Sequence, residues 1–107
     1  MSRICGAALA ALALLLGAVP SVHAQVPEPH LARNLAATCA NCHGTNGNGR
    51  GDMKPLAGVP AVTIITMLTQ YKNGTLPATV MHQIAKGYTD EQIKLVANYL
   101  AAQQPKP

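Results

Sequence analysis

No phenylalanine and no tryptophan occurs in this chain of 107 residues, and its only aromatic side chains are three tyrosines, Tyr71, Tyr88 and Tyr99. A core drawn mainly from Ala, Leu, Ile and Val at this length lacks large side chains to fill it, so something else must supply the bulk. Cysteine is scarce as well: three in all, Cys5, Cys39 and Cys42. A disulfide-stapled domain needs several pairs, which excludes that class. Beyond residue 24 only two arginines occur, Arg33 and Arg50. With so few arginines and scattered tyrosines, the modestly basic charge does not form a nucleic-acid surface. No period-2 strand pairs and no internal repeat are present, which excludes a sheet-based or solenoid architecture.

The N-terminal stretch carries Arg3 and then an apolar run from Ile4 to Val19, followed by Val22-His23-Ala24. This is the basic region, apolar region and small-residue cleavage site of a secretory signal. The run is shorter than the roughly 20 residues a membrane-spanning helix needs, so the expectation is a cleaved signal and not stable membrane insertion. Residues 1–24 are read as a signal peptide that takes Cys5 with it, and residues 25–107 as one domain in the periplasm. An uncleaved N-terminal anchor is the alternative.

Helical signals follow. His30 to Ala40 reads as a helix, with Leu31 and Leu35 at i, i+4 spacing. The stretch GTNGNGRGDMKPLAGVP is a long loop by its Gly, Asn and Pro content. Ala61 to Asn73 contains the strand-favouring VTIIT, yet Ile64, Leu68 and Tyr71 keep helical spacing and Gly74 supplies a stop. Thr79 to Lys86 makes a short helix ending at Gly87. In the last segment Thr89 and Gln92 form a capping box, and Ile93, Val96, Ala97 and Leu100 make an apolar stripe. The fold class is all-α.

The two remaining cysteines stand in ATCANCHGTNGNG, where Cys39, Cys42 and His43 spell C-x-x-C-H, the attachment signature of c-type haem. On a helix, thiols three residues apart present on one side and can bond two vinyl groups of one porphyrin edge. His43, four residues from Cys39, projects to that side and delivers an imidazole to iron. The following glycines let backbone wrap a flat cofactor closely. Haem also accounts for the missing aromatics, since it is itself a large core filler. A zinc site would want four ligands, and a thiol-disulfide exchanger a βαβ scaffold; neither is present in the pattern. The axial partner opposite His43 is to be found among Met53, Met67, Met81, His30 and His82. Met67 suits core packing beside Ile64 and Leu68, Met53 lies only ten residues after His43, and Met81 before the capped last helix is favoured.

The segments CANCHGTNGNG, LAGVP and YKNGTLPATVMHQIAKGYTDEQIKLVANYLAAQ resemble the class I c-type cytochromes, near cytochromes c4 and c553. Within them the VMHQIAKGYTDEQI block is most similar to the cytochrome subunit of flavocytochrome c sulfide dehydrogenase. The resemblance implies a class I cytochrome c fold of four to five short helices around one covalently bound haem c. It implies thioether attachment at Cys39 and Cys42, His43 as proximal ligand and Met81 as distal ligand. It further implies one-electron transfer from a flavoprotein (FAD) subunit that oxidises sulfide. A free, diffusing carrier serving other partners and an open-site haem enzyme or sensor are the competing functions. Relatives usually place one residue between the loop proline and Leu-Ala-Gly, whereas Pro55 directly precedes Leu56. The carbonyl that receives the His43 ring N–H is therefore sought at Pro55 or its neighbours.

Overall fold

The computed structural model describes residues 30–107; the expected signal peptide lies outside them. Five helices follow in order: α1 Leu31–Ala36, α2 Ala40–His43, α3 Ala61–Asn73, α4 Met81–Lys86 and α5 Asp90–Ala101. Among the described residues there is no strand, and none of their helices is long and apolar enough to cross a membrane.

The first predicted helix is not a single α-helix. A 3₁₀ turn, Ala37–Cys39, joins α1 to α2, and the helical run continues to His43 instead of stopping at Ala40. Gly44 then ends it at φ 78°, ψ 164°, a backbone conformation that excludes most side chains. A Cβ on Gly44 would lie 2.2 Å from the Gly49 carbonyl oxygen, so the glycine is required by contact as well as by φ.

The competition between strand and helix over residues 61–73 resolves as helix. Pro60 precedes the first turn with extended backbone, and Gly74 at φ 81° closes the helix by donating its N–H to the Gln70 and Tyr71 carbonyls. Prolonged β-branched propensity loses here to tertiary burial of one face, at Ile64, and to sound end signals. α4 begins two residues later than the Thr79 start read from the sequence. The capping box on α5 is complete: Gln92 N–H donates to Thr89 Oγ1 at 3.2 Å, and Thr89 N–H donates to Gln92 Oε1 at 2.9 Å.

α1 packs on α5, and α3 packs on both α4 and α5. Their shared core is Ala36, Ile64, Val96, Ala97 and Leu100, with Leu35, Cys39, Leu56, Tyr88 and Tyr99 half-buried against it. The α3 and α5 residues are those of the predicted faces, whereas on α1 Ala36 is buried and the expected Leu31 is exposed. Ile93, Val96 and Leu100 are almost wholly buried, each contributing about 1.5–3 kcal/mol of apolar transfer. Alanines at 36 and 97 keep the facing helices thin enough to approach closely. Met67 departs from its expected core position: it is 40% exposed, while Ile64 three residues earlier is 4% exposed.

Candidate functional site

The attachment turn is a product of the interrupted helix. Cys39 ends the 3₁₀ turn, while Cys42 and His43 complete α2. Cys39 and His43 are half-buried, Cys42 is exposed, and both thiols are free. Burial pushes the Cys39 thiol up from its ordinary range, partly offset by the neighbouring Thr38 hydroxyl. Both sulfurs and the imidazole thus occupy five consecutive positions of one helical run.

The loop after Gly44 folds back and holds that turn. Gly49 N–H donates to the His43 carbonyl at 2.6 Å, and Leu56 and Ala57 donate to the Gly47 carbonyl at 2.6 and 2.9 Å. The Arg50 guanidinium donates to the Asn41 carbonyl at 3.3 Å. His43 Nδ1–H donates to the Lys54 carbonyl at 2.8 Å, across 11 residues. The acceptor is therefore the residue before Pro55. This bond fixes the imidazole tautomer and leaves Nε2 with its lone pair free for a metal. From α5, Tyr99 O–H donates to Asn46 Oδ1 at 2.8 Å, which fastens the loop beyond His43. Nothing in the motif itself pointed to Arg50 or Tyr99; both depend on where the loop lands.

The other candidates are spread over separate elements. Met81 opens α4 and is half-buried. Ile84, one turn later on the same face, keeps 38% exposure, whereas Ala85 on another face is fully buried. Met53 is 44% exposed and adjoins Lys54, the residue holding His43 Nδ1. It lies in the same loop as the Nδ1 acceptor. Met67 lies on α3, and His30 is exposed just before α1. His82 is half-buried beside Met81, and its Nδ1 is the buried side-chain atom without a hydrogen-bond partner among the described residues.

A protein-family profile described as "Cytochrome C oxidase, cbb3-type, subunit III" matches residues 28–100. The chain belongs to this family of class I c-type cytochromes. Residues 45% identical over 61% of this chain occur in the "Cytochrome subunit of sulfide dehydrogenase" of Chlorobaculum tepidum, of which the match spans 59%. "Cytochrome c-552" of Acidithiobacillus ferridurans is 47% identical over 60% of this chain, spanning 28% of that relative. Among solved structures, cytochrome c4 of Acidithiobacillus ferrooxidans superposes with a TM-score of 0.60 at 38% identity, covering 67% of this cytochrome and 49% of that chain. The cytochrome thus spans a little over half, or less, of the length of these proteins.

The family's cofactor is covalently bound haem c, and the residues fit it. Two free thiols at C-x-x-C spacing adjoin an imidazole whose Nδ1–H is engaged and whose Nε2 is available. Thioether-bearing Met81 and apolar Ile84 share one face of α4 and offer a soft donor beside apolar cover.

Proposed function

We propose that Cys39 and Cys42 carry the two thioether bonds, that His43 is the proximal ligand and Met81 the distal one. The observation that carries this reading is the His43–Lys54 hydrogen bond, because it orients the one imidazole of the motif with Nε2 free. A hydrogen-bonded Nδ1–H also makes the opposite nitrogen a better donor. A c-type cytochrome domain of this family transfers single electrons; the bound haem supplies an iron that gains and gives up one electron. The chain's residues hold it in place. The two cysteines would fasten one edge covalently, and Gly44 lets the loop close against the attachment turn without a side-chain clash. Met81 is a soft, uncharged donor that favours reduced iron, as an acceptor of electrons requires. With His43 and Met81 both holding the iron, the chain would leave no open position for a substrate, and the domain would carry electrons without itself catalysing.

Within that role, the reading is a periplasmic haem subunit, residues 25–107 after cleavage of a signal at residues 1–24. It would receive electrons from a flavoprotein (FAD) subunit of a sulfide dehydrogenase. Support comes from the VMHQIAKGYTDEQI block and from the 45% identity with a protein named as the cytochrome subunit of sulfide dehydrogenase. A stable subunit should remain with its partner through purification, in contrast to the small interfaces of passing redox encounters. The test is purification from the native source with haem and flavin measured in the same fractions. Co-elution with a larger flavin-containing chain is expected. Elution as a solitary haem protein at every ionic strength makes it a free carrier. Intact mass of the same material should show a chain beginning at Gln25 with one added haem; a Cys39–Cys42 disulfide and no haem contradicts the attachment.

A further inference from the structure

Away from the proposed ligands, three polar groups meet across the molecule. Tyr88 lies in the link between α4 and α5, half-buried against the core. Its phenol O–H donates to the Leu35 carbonyl at 3.2 Å, a contact between residues 53 apart. The Thr38 hydroxyl donates to the same carbonyl at 3.1 Å, and its Oγ1 also lies against the Tyr88 hydroxyl, so the single phenol hydrogen is shared between the Leu35 carbonyl and Thr38 Oγ1. Thr38 sits in the 3₁₀ turn directly before Cys39, and Tyr88 follows α4, whose first residue is Met81. The cluster therefore joins the segment that carries an attachment cysteine to the segment that carries the sulfur donor.

The turn does not need Tyr88 for its own polar groups. Thr38 already donates to the Leu35 carbonyl from three residues away, so that acceptor stays satisfied without the phenol. A phenylalanine ring would fill the same half-buried space, and the hydroxyl's distinct contribution is the cross-tie. The tie is also well anchored at its far end, because the next residue, Thr89, is fixed in the capping box that starts α5. α4 itself has only six residues and ends at Gly87. So short a helix has little internal cohesion and depends on its tethers.

We infer that Tyr88 is a positioning residue: its hydroxyl, through Leu35 and Thr38, restrains the Met81-bearing helix against the haem-attachment turn. The inference rests on Met81 as distal ligand. Where that helix is restrained, the fraction of molecules with Met81 off the iron stays small. An external ligand competes only for that fraction, so its apparent affinity reports the restraint directly.

The experiment is imidazole titration of the oxidised, haem-loaded protein, followed by loss of the far-red sulfur-to-iron band. Removing one hydrogen bond of ordinary strength in Tyr88→Phe should tighten imidazole binding about fivefold. Thr38→Val should tighten it in the same direction, and Thr38→Ser should restore the wild-type affinity. Tyr99→Phe is the comparator: its hydroxyl holds Asn46 in the loop beyond His43 and makes no bond to the α4–α5 link, so wild-type affinity is expected. Equal affinities in Tyr88→Phe and wild type overturn the inference, as does an equal gain in Tyr99→Phe, which would report general loosening. Met81→Ala is read separately. If it keeps the far-red band, the ligand assignment fails, whereas an intact assignment with an unresponsive Tyr88→Phe removes only the positioning role.

Discussion

The stretch from Thr38 to Gly58 and the stretch from Ala61 to Gly87 are held by different physics. In the first, chain segments are fastened through backbone carbonyls: Asn41 by Arg50, His43 by Gly49, Gly47 by Leu56 and Ala57, and Lys54 by His43. Even the C-terminal tail contributes, with Lys106 N–H donating to Asn48 Oδ1 at 2.7 Å. The second stretch is two helices packed on each other, tied to the rest by packing of α3 on α5, by the Tyr88 cluster and by the ion pair from Lys72 to Asp90. Carbonyl acceptors are directional, so the imidazole side is set in one orientation before any metal arrives. Helix packing is less directional, so the methionine side depends on cross-ties such as that of Tyr88. On the proposed ligand set, the imidazole would be oriented by its own loop and the methionine through the helix that carries it.

Glycine substitutions break the comparison most sharply. Gly44→Ala places a Cβ 2.2 Å from the Gly49 oxygen at a φ of 78° and should cost about 3 kcal/mol or more in denaturant unfolding of the haem-loaded protein. Gly74→Ala in the helical stretch has the same sign of φ but no atom within 4 Å of the added Cβ. Its cost should be confined to left-handed strain, about 1 kcal/mol. Equal losses for the two would remove the distinction between a contact-locked loop and a packed helix end.

Leu100 and Met67 sharpen it further. Leu100 is 1% exposed and borders Gly47, so Leu100→Ala should destabilise by about 2–5 kcal/mol. Met67→Ala, at a position 40% exposed, should cost well under half of that in the same unfolding measurement. A Met67→Ala loss as large as that of Leu100→Ala would return Met67 to the core.

The smallest effect belongs to the ion pair. The Lys72 ammonium, by hydrogen bond and then by charge, holds the Asp90 carboxyl below its ordinary range. A carboxyl lowered on folding stabilises the folded form above its unfolded pKa, and that contribution disappears as pH falls through the lowered folded value. Asp90→Asn should therefore leave a shallower loss of stability below the usual carboxylate range, and added salt should shrink the difference because the carboxylate is exposed. Identical acid profiles in the variant and the wild type would show that the pair contributes nothing there.

What could be read from the residues in advance follows the same division. Cys39, Cys42 and His43 were legible because their relation is a spacing on one helical run. Gly74 and the Thr89–Gln92 capping box were legible because each end signal acts within a few residues. The partner of His43 was narrowed to the vicinity of Pro55 but needed the folded loop, since a contact across 11 residues has no local signature. The polar contacts of Arg50, Tyr99 and Tyr88 have no local signature for the same reason: a hydroxyl or guanidinium finds its acceptor only once the helices are packed. Met67 misled because periodicity identifies a face and not the neighbour that covers it. The 3₁₀ turn over 37–39 also lies beyond periodicity, which reads α1, the turn and α2 as one helix.

The central claim is that the preset imidazole of His43 faces the sulfur of Met81, and the absorption spectrum of oxidised Met81→Ala tests it most directly. The weak far-red sulfur-to-iron band, present in the wild type, should vanish in Met81→Ala and persist in Met53→Ala and Met67→Ala. Persistence of the band in Met81→Ala with its loss in Met53→Ala or Met67→Ala contradicts the assignment. A wild type without the band, whose spectrum changes in His82→Ala, would make the iron bis-histidine.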